Sequence, residues 1–253
     1  MQLTVLGRYG AYPAAGGACS GYLLQDGDTN LLLDCGSGIV SRLQNFCSWT
    51  NLSAIVITHF HADHYLDLYP LRYALQLSKF NKRKDKLLVL VPPGGDIELT
   101  RIFSNEESKK SFADPFLFRE IGSEEERIGS LQLNFLQVNH PVPTYAVKVR
   151  NNNCQLVYTS DTSFHGQLID FSKGSSLLLA ESTLRNEDED RSELTGHLTA
   201  GQAGELASIA GVKKLMLTHF WPEFSLEQYA KEAGETYGKE VIIAEEGESY
   251  WID

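Results

Sequence analysis

Short runs rich in Val, Ile and Leu recur along the whole chain, each closed by a turn or a helix signal. Residues 2–6, 21–24, 30–33, 54–58, 86–91, 131–138, 144–149, 155–159, 176–180, 214–218 and 240–244 read as strands. The runs 131–138, 144–149 and 155–159 are spaced as successive antiparallel partners, and Asn151-Asn152-Asn153 supplies a turn suited to positive φ. Helical segments fall between the runs, at 39–46 after a Gly-Ser-Gly turn, at 65–77, at 199–210 and at 225–237. The last opens on Ser225 with Gln228 three residues on, a capping-box arrangement. Residues 123–127 read as a short helical turn and 187–191 as a charged, solvated loop. The halves correspond loosely, because each has a strand ending in Thr-His-Phe, at Thr58-His59-Phe60 and at Thr218-His219-Phe220. Interleaved strands and helices predict sheets covered by helices, an α/β layered architecture spanning residues 1–253 as one domain.

Composition narrows the class without naming a chemistry. Hydrophobic residues at 42% and charged residues at 22% are ordinary for a globular chain, which argues against global disorder. A net charge of -11 repels nucleic acid and anionic lipid. One basic run, at 79–86, reads as a solvated turn after a helix. The four cysteines, Cys19, Cys35, Cys47 and Cys154, form no Cys-x-x-Cys pair, and the chain opens directly into the strand-like Leu3-Thr4-Val5-Leu6. No apolar run approaches the roughly 18 residues needed to span a bilayer. The expected setting is therefore cytoplasmic and reducing, with no membrane partner and no disulfide framework.

The chemistry concentrates in His59-Phe60-His61-Ala62-Asp63-His64, directly after a buried strand. His-x-His in extended backbone turns both imidazoles to one side, so His59 and His61 can share one metal. Asp63 and His64, in the turn that follows, can face a second. That many buried polar groups cost heavily unless something coordinates them. Imidazole and carboxylate together suit zinc, with manganese and iron as alternatives.

Thr58-His59-Phe60-His61-Ala62-Asp63-His64 resembles the His-x-His-x-Asp-His signature of the metallo-β-lactamase superfamily, and later elements of the chain appear in the family's order. The resemblance implies a four-layer αββα sandwich and two divalent metal ions. By the same resemblance His140 completes the first site with His59 and His61, and His219 completes the second with Asp63 and His64. Asp161 bridges the two metals, and Asp34 supports the site from behind. Each candidate ligand follows an apolar strand, as a preorganised site requires. Two such cations about 3.5–4 Å apart can hold a bridging hydroxide, which Asp63 would orient or deprotonate.

Glu181-Ser182-Thr183 and Gly196-His197-Leu198-Thr199-Ala200 resemble the ribonuclease Z branch, in which a glutamate and a histidine act on the leaving group. The implied catalytic set is thus Asp63, His197 and Glu181, with His197 as proton donor and Glu181 holding its ring. His165 has no evident partner. Only twenty residues separate His140 from Asp161, too few for the tRNA-gripping arm of that branch. With the acidic charge, this points to an arm-less form that hydrolyses a small or cyclic phosphodiester. A tRNA 3′-processing endonuclease, a thioesterase, a lactonase, a sulfatase and a non-catalytic carrier stay open as alternatives. Family habit also suggests a homodimer, and the loops 9–17, 141–143 and 220–223 are the expected substrate contacts.

Overall fold

The apolar runs pair into two seven-stranded mixed sheets in a computed structural model that describes every residue except Lys82. The first sheet holds β1 (Gln2–Gly7), β2 (Gly21–Asp26), β3 (Thr29–Leu33), β4 (Ala54–Val56), β5 (Leu87–Val91) and β6 (Phe116–Glu120). The second holds β7 (Glu126–Ile128), β8 (Leu131–Val138), β9 (Thr144–Arg150), β10 (Gln155–Tyr158), β11 (Leu177–Glu181), β12 (Lys214–Thr218) and β13 (Val241–Ile243). The last strand, β14 (Ser249–Trp251), returns to the first sheet and pairs antiparallel with β1. Each sheet starts as an antiparallel meander, through β3 or through β10, and continues as parallel strands to β6 or β13.

Parallel neighbours need crossover connections, and helices supply them. The first half carries α1 (Ile39–Leu43), α2 (Ala62–Tyr65), α3 (Leu68–Leu77), α4 (Gly95–Thr100) and α5 (Glu106–Ala113). The second carries α6 (Gly166–Ser172), α7 (Ser192–Thr195), α8 (Ala200–Ile209) and α9 (Leu226–Tyr237). Side chains alternate along each strand, so one face of each sheet meets the other sheet and the opposite face meets helices. Leu24, Leu31, Val147 and Leu156 share the core between the sheets. Leu23, Leu32 and Ile55 pack with Ile39, Leu71 and Phe112 of the first helical layer, and Val157, Leu178 and Leu217 with Leu168, Leu206 and Tyr229 of the second. The result is the four-layer αββα sandwich.

Several local expectations change. Residues 126–128 form an edge strand rather than a helical turn, and β6 and β14 are further short strands with largely exposed residues. Ser225 precedes α9 without a side-chain cap; the capping box belongs instead to Thr199 and Gln202 at the start of α8. The Asn151 carboxamide accepts from the amides of Asn153 and Cys154, and this local turn needs no positive φ. The charged segment 187–191 lies in a 3-10 turn, Asn186–Arg191.

The two Thr-His-Phe strands are not equivalent in the sheets. β4 is the second strand of its parallel run, whereas β12 is the third of its own. The equivalent strands are β3 and β10, and these lead into Asp34 and Asp161. All four cysteines are free and buried. The basic run 79–86 includes Lys82, which lies outside the described residues; Arg83 within it donates to the Thr50 and Leu52 carbonyls. No helix among the described residues is long and apolar enough to cross a membrane.

Candidate metal centre

The C-terminal ends of five strands converge on one edge of the sandwich. Asp34 follows β3, the segment His59–His61 follows β4, and α2 carries Asp63 and His64. From the other sheet, His140 follows β8, Asp161 follows β10 and His219 follows β12. The chain bends sharply to present these groups. Among the described residues, the non-glycine positions with positive φ are Ala11, Asp34, Ser160 and His219, and all four lie at this edge. Left-handed backbone at such residues costs on the order of 1–3 kcal/mol each and persists where the surroundings enforce it.

Two clusters form, joined by Asp161. In the first, His61 Nδ1 lies 3.2 Å from His59 Nε2 and 3.0 Å from His140 Nε2, with Asp161 Oδ2 at 3.5 Å from His59 Nε2. In the second, His64 Nε2 and His219 Nε2 are 3.1 Å apart, and Asp63 Oδ2 lies 3.2 Å from His219 Nε2. Asp161 Oδ1 is 3.4 Å from both His64 Nε2 and His219 Nε2. Each carboxylate oxygen of Asp161 therefore faces a different histidine group.

The outer hydrogen bonds decide what these nitrogens can be. His64 Nδ1 donates to Asp34 Oδ2 at 2.8 Å, His140 Nδ1 to the Gly196 carbonyl at 2.8 Å, and His219 Nδ1 to Thr183 Oγ1 at 2.7 Å. In the neutral imidazoles the Nε2 atoms are then bare lone pairs, aimed at one another and at carboxylate oxygens. Asp161 Oδ1 is buried with no hydrogen-bond donor. Convergent lone pairs repel unless a cation lies among them, so the donor set fits two divalent metals.

Titration behaviour agrees. Burial dominates at His59, His61 and His140 and lowers all three pKa values, so these imidazoles are neutral and ready to ligate. Burial opposes charge at Asp63 and Asp161 as well. Nevertheless His64 and His219 hold the Asp63 carboxyl below its ordinary range, and His219, His64 and His59 do so for Asp161. At His64 burial is outweighed by Asp161, Asp63 and Asp34, which push its pKa well up. The acids at this point demand positive charge, which a cation supplies.

Asp34 is fully buried and serves as an anchor. Its Oδ1 accepts from the Thr58 amide at 2.8 Å, and its Oδ2 accepts from the Thr58 hydroxyl, His64 Nδ1 and the Tyr158 hydroxyl. The Thr58 amide is thereby withdrawn from strand pairing, and β4 ends at Val56 rather than reaching Thr58.

Glu181 plays the matching part on the other side. Its Oε1 accepts from the Thr162 amide, the Leu198 amide and His197 Nδ1 at 2.9 Å, and its Oε2 from the Thr183 amide and hydroxyl. The Thr183 hydroxyl thus donates to Glu181 while accepting from His219, linking the glutamate to a candidate ligand. The sequence pattern gave Thr183 no role, since it stands 36 residues from His219 and no periodicity joins them. Thr183→Val keeps the shape and removes this relay. It is expected to weaken metal affinity about 10–100-fold, as losses of such outer partners do, with Thr183→Ser restoring it. Competition with a chromogenic chelator measures the effect.

The loop 9–17 also enters the site, but through backbone. The Ala11 amide donates to Asp63 Oδ2 at 2.7 Å, and Gly10 packs so tightly that an added Cβ would lie 2.5 Å from the His219 ring. Tyr12 at the tip hydrogen-bonds Glu223 of the loop 220–223. Phe220, by contrast, is fully buried against Tyr229. Beside His140, a cavity of about 610 Å³ is lined by Pro141, Ser163, Phe164, Glu193 and Leu194 among others. His165 begins α6 with its Nε2 unpartnered and joins neither metal cluster.

A family model described as a β-lactamase superfamily domain matches residues 29–220. The probable metallo-hydrolase YhfI of Bacillus subtilis is 35% identical over 249 residues, covering 98% of each chain. Its crystal structure, a metallo-β-lactamase fold, superposes with a TM-score of 0.88 at 31% identity over 99% of both chains. A ribonuclease Z of Natronomonas pharaonis is 25% identical over 98% of this chain and 97% of its own. The short form of human tRNase Z shares the fold, with a TM-score of 0.79 at 23% identity over 100% of both chains.

Proposed function

The chain belongs to the β-lactamase superfamily of metallo-hydrolases, and from that premise we propose that it hydrolyses a small phosphodiester at a two-metal centre. In this reading residues 1–253 act as one hydrolase domain, since both sheets supply ligands. His59, His61 and His140 would hold one ion, Asp63, His64 and His219 the other, and Asp161 both. The donor set suits zinc best, with manganese or iron as alternatives. Bound divalent cations supply Lewis-acid polarisation of the phosphoryl group and an acidic water.

The protein's own groups do the rest. Ala11 fixes Asp63 through Oδ2 and so orients the carboxylate that aligns the attacking water and takes its proton. His197 donates a proton to the departing alkoxide. Its Nδ1 is clamped by Glu181 at 2.9 Å, its ring stacks 5.7 Å from that of His219, and it is only partly exposed. Burial works against its charge, but Glu181 outweighs it and pushes the pKa up to about 9. The imidazole thus carries its proton at neutral pH.

The single observation that carries the reading is the histidine clamped by Glu181 at 2.9 Å beside the candidate metal centre. A thiolate leaves without help, whereas an alkoxide needs an acid, so the pair favours phosphodiester over thioester substrates. Two features favour a small substrate over tRNA. The residues between His140 and Asp161 are largely taken up by β9 and β10, and the cavity beside His140 is lined by Phe164, Leu194 and the acidic Glu193. A net charge of -11 adds to this.

His197→Ala is expected to keep both metals and to slow an alkyl-leaving diester about 10²–10⁴-fold. Its effect on a p-nitrophenyl diester should be small, because that phenolate leaves unaided. Equal losses on the two substrates would remove His197 from the role of acid. The 25% identity to a ribonuclease Z supports RNA as the second reading, and cleavage of a precursor tRNA at rates above those on small diesters would establish it.

A further inference from the structure

We propose that a second site, separate from the metal centre, binds a small oxyanion in the cavity between α3 and α5, anchored by Arg72. The buried face of α3 carries Leu68, Leu71 and Leu75, and Arg72 falls on its edge with only 7% of its surface exposed. A guanidinium is a permanent cation with five in-plane N–H donors. Here the Nε is buried without an acceptor, and among the described residues the side chain has no ion pair and no hydrogen bond. Arg8, Arg83 and Arg185 share a buried, unpartnered Nε, but their terminal nitrogens are engaged: Arg8 pairs with Glu245, Arg185 with Glu187, and Arg83 donates to two carbonyls; Arg42 pairs with Glu246.

The aromatic neighbours satisfy one part of Arg72 only. The guanidinium carbon lies 3.9 Å from the Tyr73 ring centroid and 5.8 Å from that of Phe103. Stacking stabilises the cation through its face and leaves the buried Nε–H unsatisfied. Arg72 lines a cavity of about 250 Å³ with Tyr73, Phe103, Glu107, Ser108 and Ser111. Ser108 and Ser111 stand one turn apart on α5, so their hydroxyls can reach the same ligand.

A largely buried cation whose Nε–H has no acceptor favours an anionic partner, and a planar fork of N–H donors matches a phosphate or carboxylate edge. The volume of about 250 Å³ suits inorganic phosphate or a small carboxylate, with the two rings as an apolar wall. Glu107 lines the same cavity but makes no ion pair with Arg72. None of the lining residues belongs to the metal centre, so the site stands whether or not the substrate assignment holds.

Calorimetric titration of the metal-loaded protein with inorganic phosphate and with acetate tests this, alongside Arg72→Gln and a Ser108→Ala, Ser111→Ala double variant. The expected result is an anion-binding event that Arg72→Gln weakens at least tenfold and the double variant several-fold. Metal content and diester hydrolysis should stay unchanged in both. The stronger of the two probes identifies the oxyanion. Undiminished binding in Arg72→Gln would overturn the proposal. So would a change in sedimentation mass in that variant, because the guanidinium would then be serving a second copy of the chain. A gain in Arg72 Nε–H protection on adding phosphate, followed by NMR, supports it without any substitution; no change at saturating phosphate and acetate counts against it.

Discussion

Replacing Asp161 with alanine is expected to drop the bound metal from two ions per chain to one or none and to abolish turnover. Among the described residues Asp161 is the only carboxylate whose two oxygens face both clusters, at 3.5 Å from His59 Nε2 and 3.4 Å from His64 and His219 Nε2. Without it, five imidazoles that carry no negative charge and one carboxylate, Asp63, are left to hold two dications, and the pair loses its shared anion. Loss of the two-metal arrangement removes several kcal/mol of transition-state stabilisation, on the order of 10³-fold or more in kcat. Elemental analysis of the dialysed protein and single-turnover kinetics check the two halves separately. A variant that retains two metals and near-normal rates would show that Asp161 is no bridge.

Glu181→Gln should be nearly as damaging, by a different route. The carboxylate is fully buried and accepts five hydrogen bonds, three on Oε1 and two on Oε2. Glutamine replaces one acceptor with an NH₂, which then faces the backbone N–H of Thr183, or those of Thr162 and Leu198. Breaking a buried charge-assisted network of this kind costs about 3–5 kcal/mol. In a chain of this size that corresponds to a fall in Tm on the order of 10 °C. Turnover should fall further than His197→Ala alone, since Glu181 holds His197 directly and His219 through Thr183. Thermal unfolding and kcat on an alkyl diester measure this, and a stable, active Glu181→Gln would remove the glutamate from both roles.

The family and fold could be read from the sequence because their signals are local. His59, His61, Asp63 and His64 sit within six residues of one another after a buried strand, and the long strands of both sheets carry strong apolar runs. The strands not read from the sequence have weak local signals. β6, β7 and β14 have five, three and three residues, too few to show a sustained alternation. The parts of the site that were not read depend on long-range contacts. Ala11 reaches Asp63 across 52 residues, Tyr158 reaches Asp34 across 124, and Thr183 reaches His219 across 36. Ala11 acts through its amide, which no residue type signals. The Thr-His-Phe repeat misled for the converse reason: identical tripeptides follow strands of different rank, and the true counterpart of Asp34 is Asp161.

The most direct test is hydrolysis of bis-p-nitrophenyl phosphate by zinc- or manganese-loaded protein beside its Asp63→Asn variant, with metal content measured in both. A phosphodiesterase centre predicts turnover in the parent that falls at least about 10²-fold in the variant. Two metals bound with no turnover in the parent would contradict it and turn the assignment toward thioester, lactone or sulfate substrates.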